Sequence, residues 1–226
     1  MRVKMVVVAA IFCLLPVMGH ADINVALNKD VTLAGDFFVG GTAYSQGGWG
    51  GSGQTVAAST VVDGNFLSQS TQWNQGSVWW DSTYDNPQVQ FEPFDRIYID
   101  LAGTFIITSF VVQADNNDEY LVYYKDKNRW DNVWFLAYAV PKMEGWGMQT
   151  RPNPLDDTAR FWLTNAITVT DLMIQGSEVA GASDNLFSVS EIQAFGTAAV
   201  PEPATMLLFG TGLAGLAAAR RRKKVS

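Results

Sequence analysis

The sequence predicts an all-β domain, a jelly-roll β-sandwich, between two terminal segments that are predicted to be helical. Three observations support this fold class. Short apolar segments with strand periodicity recur along the body of the chain, and Gly, Asn, Asp and Pro residues separate them. No internal stretch keeps a helical period for three turns. Many short strands with turn residues between them are typical of sandwiches and jelly rolls.

Two segments give the clearest strand signals. In 96–101, Ile97, Ile99 and Leu101 alternate with polar or amphipathic residues, which predicts a strand with one buried face. The continuous β-branched and aromatic run at 105–113 predicts a more deeply buried strand. A turn is predicted at 115–118, and a long Gly/Ser-rich loop around Trp49 at 40–54. Further strands are predicted at 56–62, 119–124, 133–139, 159–163, 167–174 and 187–195.

Residues 1–21 have the order of features found in a secretory signal peptide. Arg2 and Lys4 precede an apolar core at 6–15, and the small residues Gly19 and Ala21 occupy the −3 and −1 positions of a cleavage site. We therefore expect export, with cleavage after Ala21. A retained anchor is the weaker alternative, because the apolar run is short for a membrane span.

Residues 200–226 form a tail with three parts. Pro201, Glu202 and Pro203 precede sixteen uncharged residues at 204–219 and a basic cluster at 220–224. As a helix, the uncharged part would be about 24 Å long, a little shorter than the ~30 Å hydrocarbon core of a bilayer. The basic cluster would then stay on the cytoplasmic side.

This tail resembles the PEP-CTERM sorting signal of Gram-negative bacteria. The resemblance implies anchoring in the inner membrane, followed by recognition and processing by an exosortase in species that make exopolysaccharide. The protein would then reach the cell envelope, the cell surface or the extracellular matrix. An ordinary C-terminal membrane anchor without processing is the alternative.

The composition of the body, residues 22–199, excludes several functions. This segment holds eight Lys/Arg against twenty-one Asp/Glu and carries −13, which leaves no basic face for nucleic acid. The single Cys of the chain, Cys13, and the single His, His20, both precede the expected cleavage point. The mature chain then has no thiol nucleophile, imidazole base, disulfide or zinc site. A pair of carboxylates acting on a glycoside stays open on composition alone.

Four motifs in the body occur in an order known from one family. They are Asn24-Val25-Ala26-Leu27-Asn28-Lys29, Val61-Val62-Asp63-Gly64-Asn65 with the following Thr71-Gln72-Trp73, Ile97-Tyr98-Ile99-Asp100-Leu101, and Ser190-Glu191-Ile192-Gln193-Ala194-Phe195-Gly196. Together they resemble discoidin, or F5/8 type C, domains, which have a galactose-binding-like jelly-roll fold. The sequence departs from that family in the enlarged loop at 40–54 and in the stretch 125–158, which shows no landmark of the family, so the resemblance leaves the ligand unspecified.

The same resemblance implies a structural calcium ion held by Asp63, Thr71 and Glu191, with Asn65 contributing through its backbone. Calcium prefers about six to eight oxygen ligands, so this set is chemically reasonable. The alternative is that Asp63 and Gly64 form a turn, with the aspartate bonded to its own backbone, and that Glu191 is an ordinary exposed strand residue.

Candidate glycan contacts follow from the chemistry of sugars, which present hydroxyl edges and apolar C–H faces. Planar polar side chains are predicted to bind the edges, namely Asp115, Asn117 and Arg151. One of the loop tryptophans is predicted to provide a stacking platform, and for each of them packing in the core or in a loop is the alternative; they are Trp49, Trp79, Trp80 and Trp146. Tryptophans in or beside apolar strands are predicted to belong to the core, namely Trp130, Trp134 and Trp162.

These features predict an exported, non-catalytic carbohydrate-binding protein of the cell envelope or the exopolysaccharide matrix. Two alternatives stay open. One is a structural matrix or adhesion protein without specific sugar binding. The other is a carboxylate-dependent glycan hydrolase, which is the weaker alternative because the sequence shows no acid–base motif.

Overall fold

The computed structural model describes residues 22–38, 53–82, 95–177, 186–199 and 211–212. The predicted signal helix, Trp49, most of the predicted loop at 40–54 and all of the predicted transmembrane helix except the helical residues 211–212 lie outside the described residues. No helix in the described ranges is long and apolar enough to cross a membrane.

The described part of the chain consists of nine β-strands and one short 3-10 helix, so the all-β prediction is confirmed. The strands are β1 (Ile23–Asn24), β2 (Asp30–Ala34), β3 (Val78–Asp81), β4 (Arg96–Asp115), β5 (Tyr120–Lys125), β6 (Phe135–Val140), β7 (Met148–Arg151), β8 (Phe161–Gly176) and β9 (Leu186–Ala198). The 3-10 helix, η1, covers Ala58–Val62.

All nine strands pair antiparallel in one hydrogen-bonded network of order β1-β9-β4-β8-β5-β6, in which β2 and β7 also pair with β4, and β3 with β9. The long strands β4 and β8 run side by side, and their register shifts between Asp100 and Phe105. Before this shift, β4 pairs with β2 on one side and with β8 on the other. At its far end, β4 pairs with β9 and β7. The sheet therefore turns a corner at 101–104 and folds over into two layers.

Aromatic side chains from the two layers meet in the core. Tyr120 of β5 lies 5.8 Å from Phe187 of β9 between ring centroids, and its hydroxyl accepts a 2.9 Å hydrogen bond from Ser188 N. Trp80 of β3 stacks on Phe187 at 5.4 Å with an interplanar angle of 21°. Trp80, Tyr120 and Phe187 are all buried, so the hydrophobic core lies between the layers.

The two ends of the sandwich differ, and we name them by position. The corner end contains residues 101–104 and the end of β9, where Phe105 pairs with Ala198 and Ala199 N donates to Thr104 O at 2.9 Å. The loop end contains the 116–119 turn and the β6–β7 connection at 141–147, which meet where Met143 N donates to Asn116 O at 2.7 Å. From Phe105 to Asp115, β4 extends about 33 Å at ~3.3 Å per residue.

Most predicted strands exist, but several boundaries were wrong. The segments 96–101 and 105–113 form the single strand β4, in which Ala102 takes a positive φ of 55° at the corner. The segments 159–163 and 167–174 likewise join in β8. The strand predicted at 56–62 is wrong, because Ala58–Val62 forms η1 and buries Val61 and Val62 without any pairing partner.

Candidate functional site

Trp146 is the exposed aromatic residue of the loop end, and 48% of its surface is accessible. It stands between Gly145 and Gly147, whose φ angles are 120° and 65°. A Cβ atom on Gly147 would lie 2.3 Å from Thr71 O, and one on Gly145 would lie 2.3 Å from Nε2 of Gln149. Only glycine fits at either position, so the backbone that carries the indole is closely constrained.

The predicted polar turn at 115–118 lies against this loop. Asn116 Nδ2 donates to the carbonyl oxygens of Met143 and Gly145, at 3.3 and 3.0 Å. Asn117, which follows, is partly exposed. The structure therefore brings Trp146 and Asn117 to the same end of the sandwich, as the sequence predicts for a platform and a polar partner.

Arg151 does not have the predicted role of a surface sugar ligand, because its side chain is fully buried. Its guanidinium donates to backbone carbonyls only: to Pro141 O at 3.1 Å, to Ala114 O at 2.6 Å, to Gln149 O at 2.9 Å, and to Asp115 O. Burial lowers the pKa of Arg151 from its ordinary value, and the nearby Tyr120 and Asp115 oppose this shift. Arg151 thus joins the end of β4 to the start of the β6–β7 connection at 141–147, which we call the Trp146 loop.

Asp115 is also buried. Its backbone oxygen accepts a hydrogen bond from Arg151, and it is the last residue of β4 rather than part of an open turn. The prediction that its carboxylate reaches solvent for a sugar hydroxyl is wrong. Of the three predicted edge binders, Asn117 alone is partly exposed.

Trp79 and Trp80 lie in β3 rather than in a loop, and both are buried. The indole N–H of Trp79 donates to Gln54 O at 3.0 Å, and its ring packs edge-on to Trp73 at 5.4 Å. Trp80 belongs to the core between the layers. Neither ring offers a free face, so the prediction of a stacking platform is wrong for both residues.

The three tryptophans that were predicted to belong to the core differ in their exposure. Trp130 is 96% exposed and Trp162 is 61% exposed, so the prediction is wrong for these two. Trp162 alternates along β8 with Phe161, whose ring stacks on buried Tyr138 at 3.9 Å, and the strand period places Trp162 on the other face. Trp134 is partly buried, 5.8 Å from Tyr98 between ring centroids.

A network of buried polar side chains lies beneath the loop end, and no sequence motif predicts it. Gln113 of β4 accepts from Leu67 N at 2.7 Å, and donates to Leu67 O at 2.9 Å and to Thr150 Oγ1 at 3.1 Å. Ser190 Oγ donates to Gln113 Oε1 at 2.6 Å. Because a buried amide is costly unless it is hydrogen-bonded, this network fixes the 66–71 segment on the end of the sandwich.

Two of the predicted calcium ligands lie close together. Glu191 of β9 is fully buried, and its Oε2 accepts a 3.3 Å hydrogen bond from Gly64 N. Its Oε1 is buried and has no hydrogen-bond partner among the described residues. Asp63 precedes Gly64, and its Oδ1 accepts from Asn65 N at 2.8 Å, which is the turn that the alternative prediction describes.

Burial, with a smaller contribution from the nearby Asp63 carboxylate, raises the pKa of Glu191 to about 8, whereas hydrogen bonds from Gln193 and Gly64 N–H act in the opposite direction. A buried carboxyl group with an unbonded oxygen beside a second carboxylate is an environment that a cation would stabilise. Two carboxylates supply too few oxygens for calcium by themselves, so loop carbonyl oxygens would have to complete the coordination.

The other two predicted calcium ligands, Thr71 and Asn65, are less well placed to bind the ion. The Thr71 hydroxyl donates to Ser68 O at 2.7 Å, and Thr71 O accepts from Met148 N at 2.8 Å, so its bonds point to the Trp146 loop. Asn65 is exposed. In the described ranges, no group of three or more Asp, Glu, His or Cys side chains is placed to hold a metal ion.

The tail matches a known sorting signal. The PEP-CTERM protein-sorting motif matches residues 199–223, which include Pro201, Glu202 and Pro203. The predicted sorting signal is thereby confirmed. A comparison of the sequence with curated proteins gave no significant match.

The described fold is similar to several solved structures. One is the family 32 carbohydrate-binding module from C. perfringens NanJ in complex with galactose, with a TM-score of 0.43, 12% identity and coverage of 77% of this chain and 98% of that one. Another is chitosan-binding module 1 from a Paenibacillus sp. IK-5 chitosanase/glucanase, with a TM-score of 0.42, 16% identity and coverage of 76% and 98%. A third is a fucolectin from striped bass (Morone saxatilis) serum, with a TM-score of 0.46, 12% identity and coverage of 77% and 49%.

Proposed function

We propose that this protein is an exported, non-catalytic glycan-binding protein that its PEP-CTERM tail delivers to the cell envelope or to the exopolysaccharide matrix. The single observation that carries the glycan-binding part is Trp146, a half-exposed indole on a backbone that two glycines constrain. An indole presents a flat apolar face to the C–H face of a sugar ring, and partly exposed Asn117 supplies an amide for hydroxyl groups.

The loop end suits binding for a second reason. Hydrogen bonds to backbone carbonyls hold its segments in place. Arg151 and Asn116 bind the 141–147 connection, and Gln113 binds the 66–71 segment. A site that is already ordered before the ligand arrives loses little conformational entropy on binding. A glycan could therefore be held by one stacked ring and a few polar contacts.

A calcium ion is part of the proposal as a structural element. Asp63 and Glu191 would hold it between the 63–65 turn and β9, and loop carbonyl oxygens would complete the coordination. The ion would neutralise a buried carboxylate and would join the 63–65 turn to β9. Chelation should then lower the melting temperature, and an unchanged melting temperature would remove the ion from the proposal.

The test of binding compares two tryptophan variants of the mature chain. Trp146→Ala should weaken retention on its glycan roughly tenfold, which corresponds to about 1.4 kcal/mol of lost stacking. Trp130→Ala is the matched control, because Trp130 is more exposed but lies at the corner end. A glycan array with calcium and with chelator identifies the sugar, and competition by that free sugar establishes specificity.

Two outcomes would contradict this function. A cooperatively folded protein that binds no glycan would favour the structural matrix or adhesion role. Sustained release of reducing sugar that an Asp or Glu substitution abolishes would favour a hydrolase with a carboxylate pair. Equal effects of Trp146→Ala and Trp130→Ala would keep glycan binding but would move the site away from the loop end.

A further inference from the structure

Trp130 is an exposed aromatic residue that the proposed glycan site does not use. It lies in the β5–β6 connection, at the corner end, and 96% of its surface is accessible. The nearby Val133 is also exposed. Solvent-exposed tryptophan in an ordered loop is a feature of surfaces that meet an apolar or interfacial partner.

Hydrogen bonds and ion pairs order the backbone on both sides of Trp130. Asn128 N donates to Asp126 Oδ1 at 2.9 Å, and Arg129 N donates to Asp126 O at 3.0 Å. The Arg129 guanidinium binds both carboxylate oxygens of Asp131, at 3.2 and 2.7 Å. The indole is therefore held out from the sandwich by structure on its N-terminal and C-terminal sides.

The same loop lies beside the point where the tail leaves the domain. Asn128 Nδ2 donates to Thr104 Oγ1 at 3.0 Å, and Ala199 N donates to Thr104 O at 2.9 Å. Thr104 thus contacts both the Trp130 loop and the last described residue before the sorting tail. Four residues, 200–203, separate Ala199 from the uncharged segment 204–219.

This short spacer limits how far the corner end can lie from a membrane. Even fully extended, the chain from Ala199 to Ala204 covers at most about 18 Å. When 204–219 is inserted in a bilayer, Ala199 must stay within that distance of the membrane surface, with Thr104 and the Trp130 loop beside it. The loop end lies about 33 Å further along the sandwich.

We propose that Trp130 docks on the lipid bilayer in which the tail anchors the domain, so that the corner end faces the membrane and the Trp146 site faces away from it. The inference rests on the proposed function only in taking the tail as a membrane anchor. Tryptophan suits this position, because its amphipathic ring prefers the headgroup region of a bilayer.

The charges of the loop indicate what kind of lipid contact this is. Lys127 Nζ forms ion pairs with Asp171 at 2.8 Å and with Asp100 at 3.2 Å, and Arg129 is paired with Asp131. These cations are already neutralised by carboxylates of the domain. Docking should therefore depend on the indole and be equally strong on zwitterionic and anionic lipid, unlike binding by a polybasic patch.

A single-cysteine label tests the contact. Once residues 1–21 are removed, the mature chain contains no cysteine, so Trp130→Cys provides one site for an environment-sensitive fluorophore. Leu155→Cys is the matched control, because Leu155 is 94% exposed and its neighbour Asp157 accepts a hydrogen bond from Gln69 at the loop end. The full mature chain is reconstituted into phosphatidylcholine vesicles, with and without brominated acyl chains.

The label at position 130 should shift to shorter wavelength and lose intensity with brominated lipid, whereas the label at 155 should change in neither respect. Adding anionic lipid should alter neither result. Because the label takes the place of the indole, the contact of the indole itself is tested by quenching of native tryptophan emission with brominated lipid. This quenching should be lower in Trp130→Phe than in wild type.

Three results would overturn the proposal. In the first, the emission of the label at 130 shows that it stays in water although the chain floats with the vesicles. In the second, the chain does not float with the vesicles. Protection at 130 in native membranes but not in pure lipid would assign the surface to a protein partner. Glycan retention is measured on the same samples, so loss of binding at Trp146 and loss of docking at Trp130 are separate observations.

Discussion

Replacing Glu191 with Gln should remove a large part of the pH dependence of stability that the calcium-free protein shows. In the folded domain, burial raises the pKa of Glu191 to about 8, from an ordinary value of 4.5. The substitution keeps the shape of the side chain and the acceptor for Gly64 N–H but removes the titration. It therefore isolates the effect of this carboxyl group from that of the other acidic residues.

The sign follows from proton binding. Between pH 4.5 and about 8 the folded protein keeps a proton on Glu191 that the unfolded chain has released. The free energy of unfolding must therefore fall as the pH rises through this window, by at most ~1.4 kcal/mol per pH unit, and level off above it. The full effect is at most ~5 kcal/mol, which is comparable with the whole stability of a marginal domain.

Urea unfolding of wild type and Glu191→Gln at several pH values between 5 and 9, in chelator, measures the effect as a difference between the two proteins. Calcium should act in the opposite direction, because the ion requires the ionised carboxylate, and it should raise the melting temperature more at pH 9 than at pH 6. If the two proteins show parallel pH profiles in chelator, Glu191 does not hold a proton in the folded state and the reasoning is refuted.

Three further predictions concern packing. Arg151→Met should cost about 3–5 kcal/mol in urea unfolding, because four backbone carbonyls, three of them buried, lose their donor; a loss below ~1 kcal/mol would contradict the role given to Arg151. Trp80→Ala should cost about 3–5 kcal/mol by removing the ring between the layers, with the exposed Trp162→Ala as a near-neutral comparison. Gly147→Ala should cost about 1–3 kcal/mol and weaken glycan retention, because its Cβ would meet Thr71 O; retention equal to wild type would show that the Trp146 backbone need not be fixed.

The sequence predicted the strands that have a regular period and missed those that do not. Alternation in 96–101 and the long apolar run after it were sufficient for β4, although the corner at Ala102 was not visible as such. β3 is a four-residue strand that is buried throughout, so it has no alternation to detect. The pattern at 56–62 is apolar enough for a strand, but η1 packs against β9 instead of joining the sheet.

The candidate site was predictable in composition but not in accessibility. Trp146 between two glycines and the oxygen-rich turn at 115–118 were found because loops of such residues lie at the surface. The errors at Trp79, Trp130 and Arg151 have one cause: whether a large side chain is buried depends on partners far away in sequence. Arg151 is buried because carbonyls of Ala114 and Asp115 surround it, and nothing near position 151 indicates that.

The pairing of β1 with β9 has a consequence for the timing of assembly. Ile23 pairs with Gly196, so the first and last strands of the domain are neighbours. A chain that crosses a membrane from its N-terminus, as the predicted signal peptide requires, presents Ile23 long before its partner. The sheet can close only when β9 has emerged, and the uncharged part of the tail follows within a few residues. The sheet thus becomes complete at almost the same moment as the sorting motif follows β9 out of the membrane.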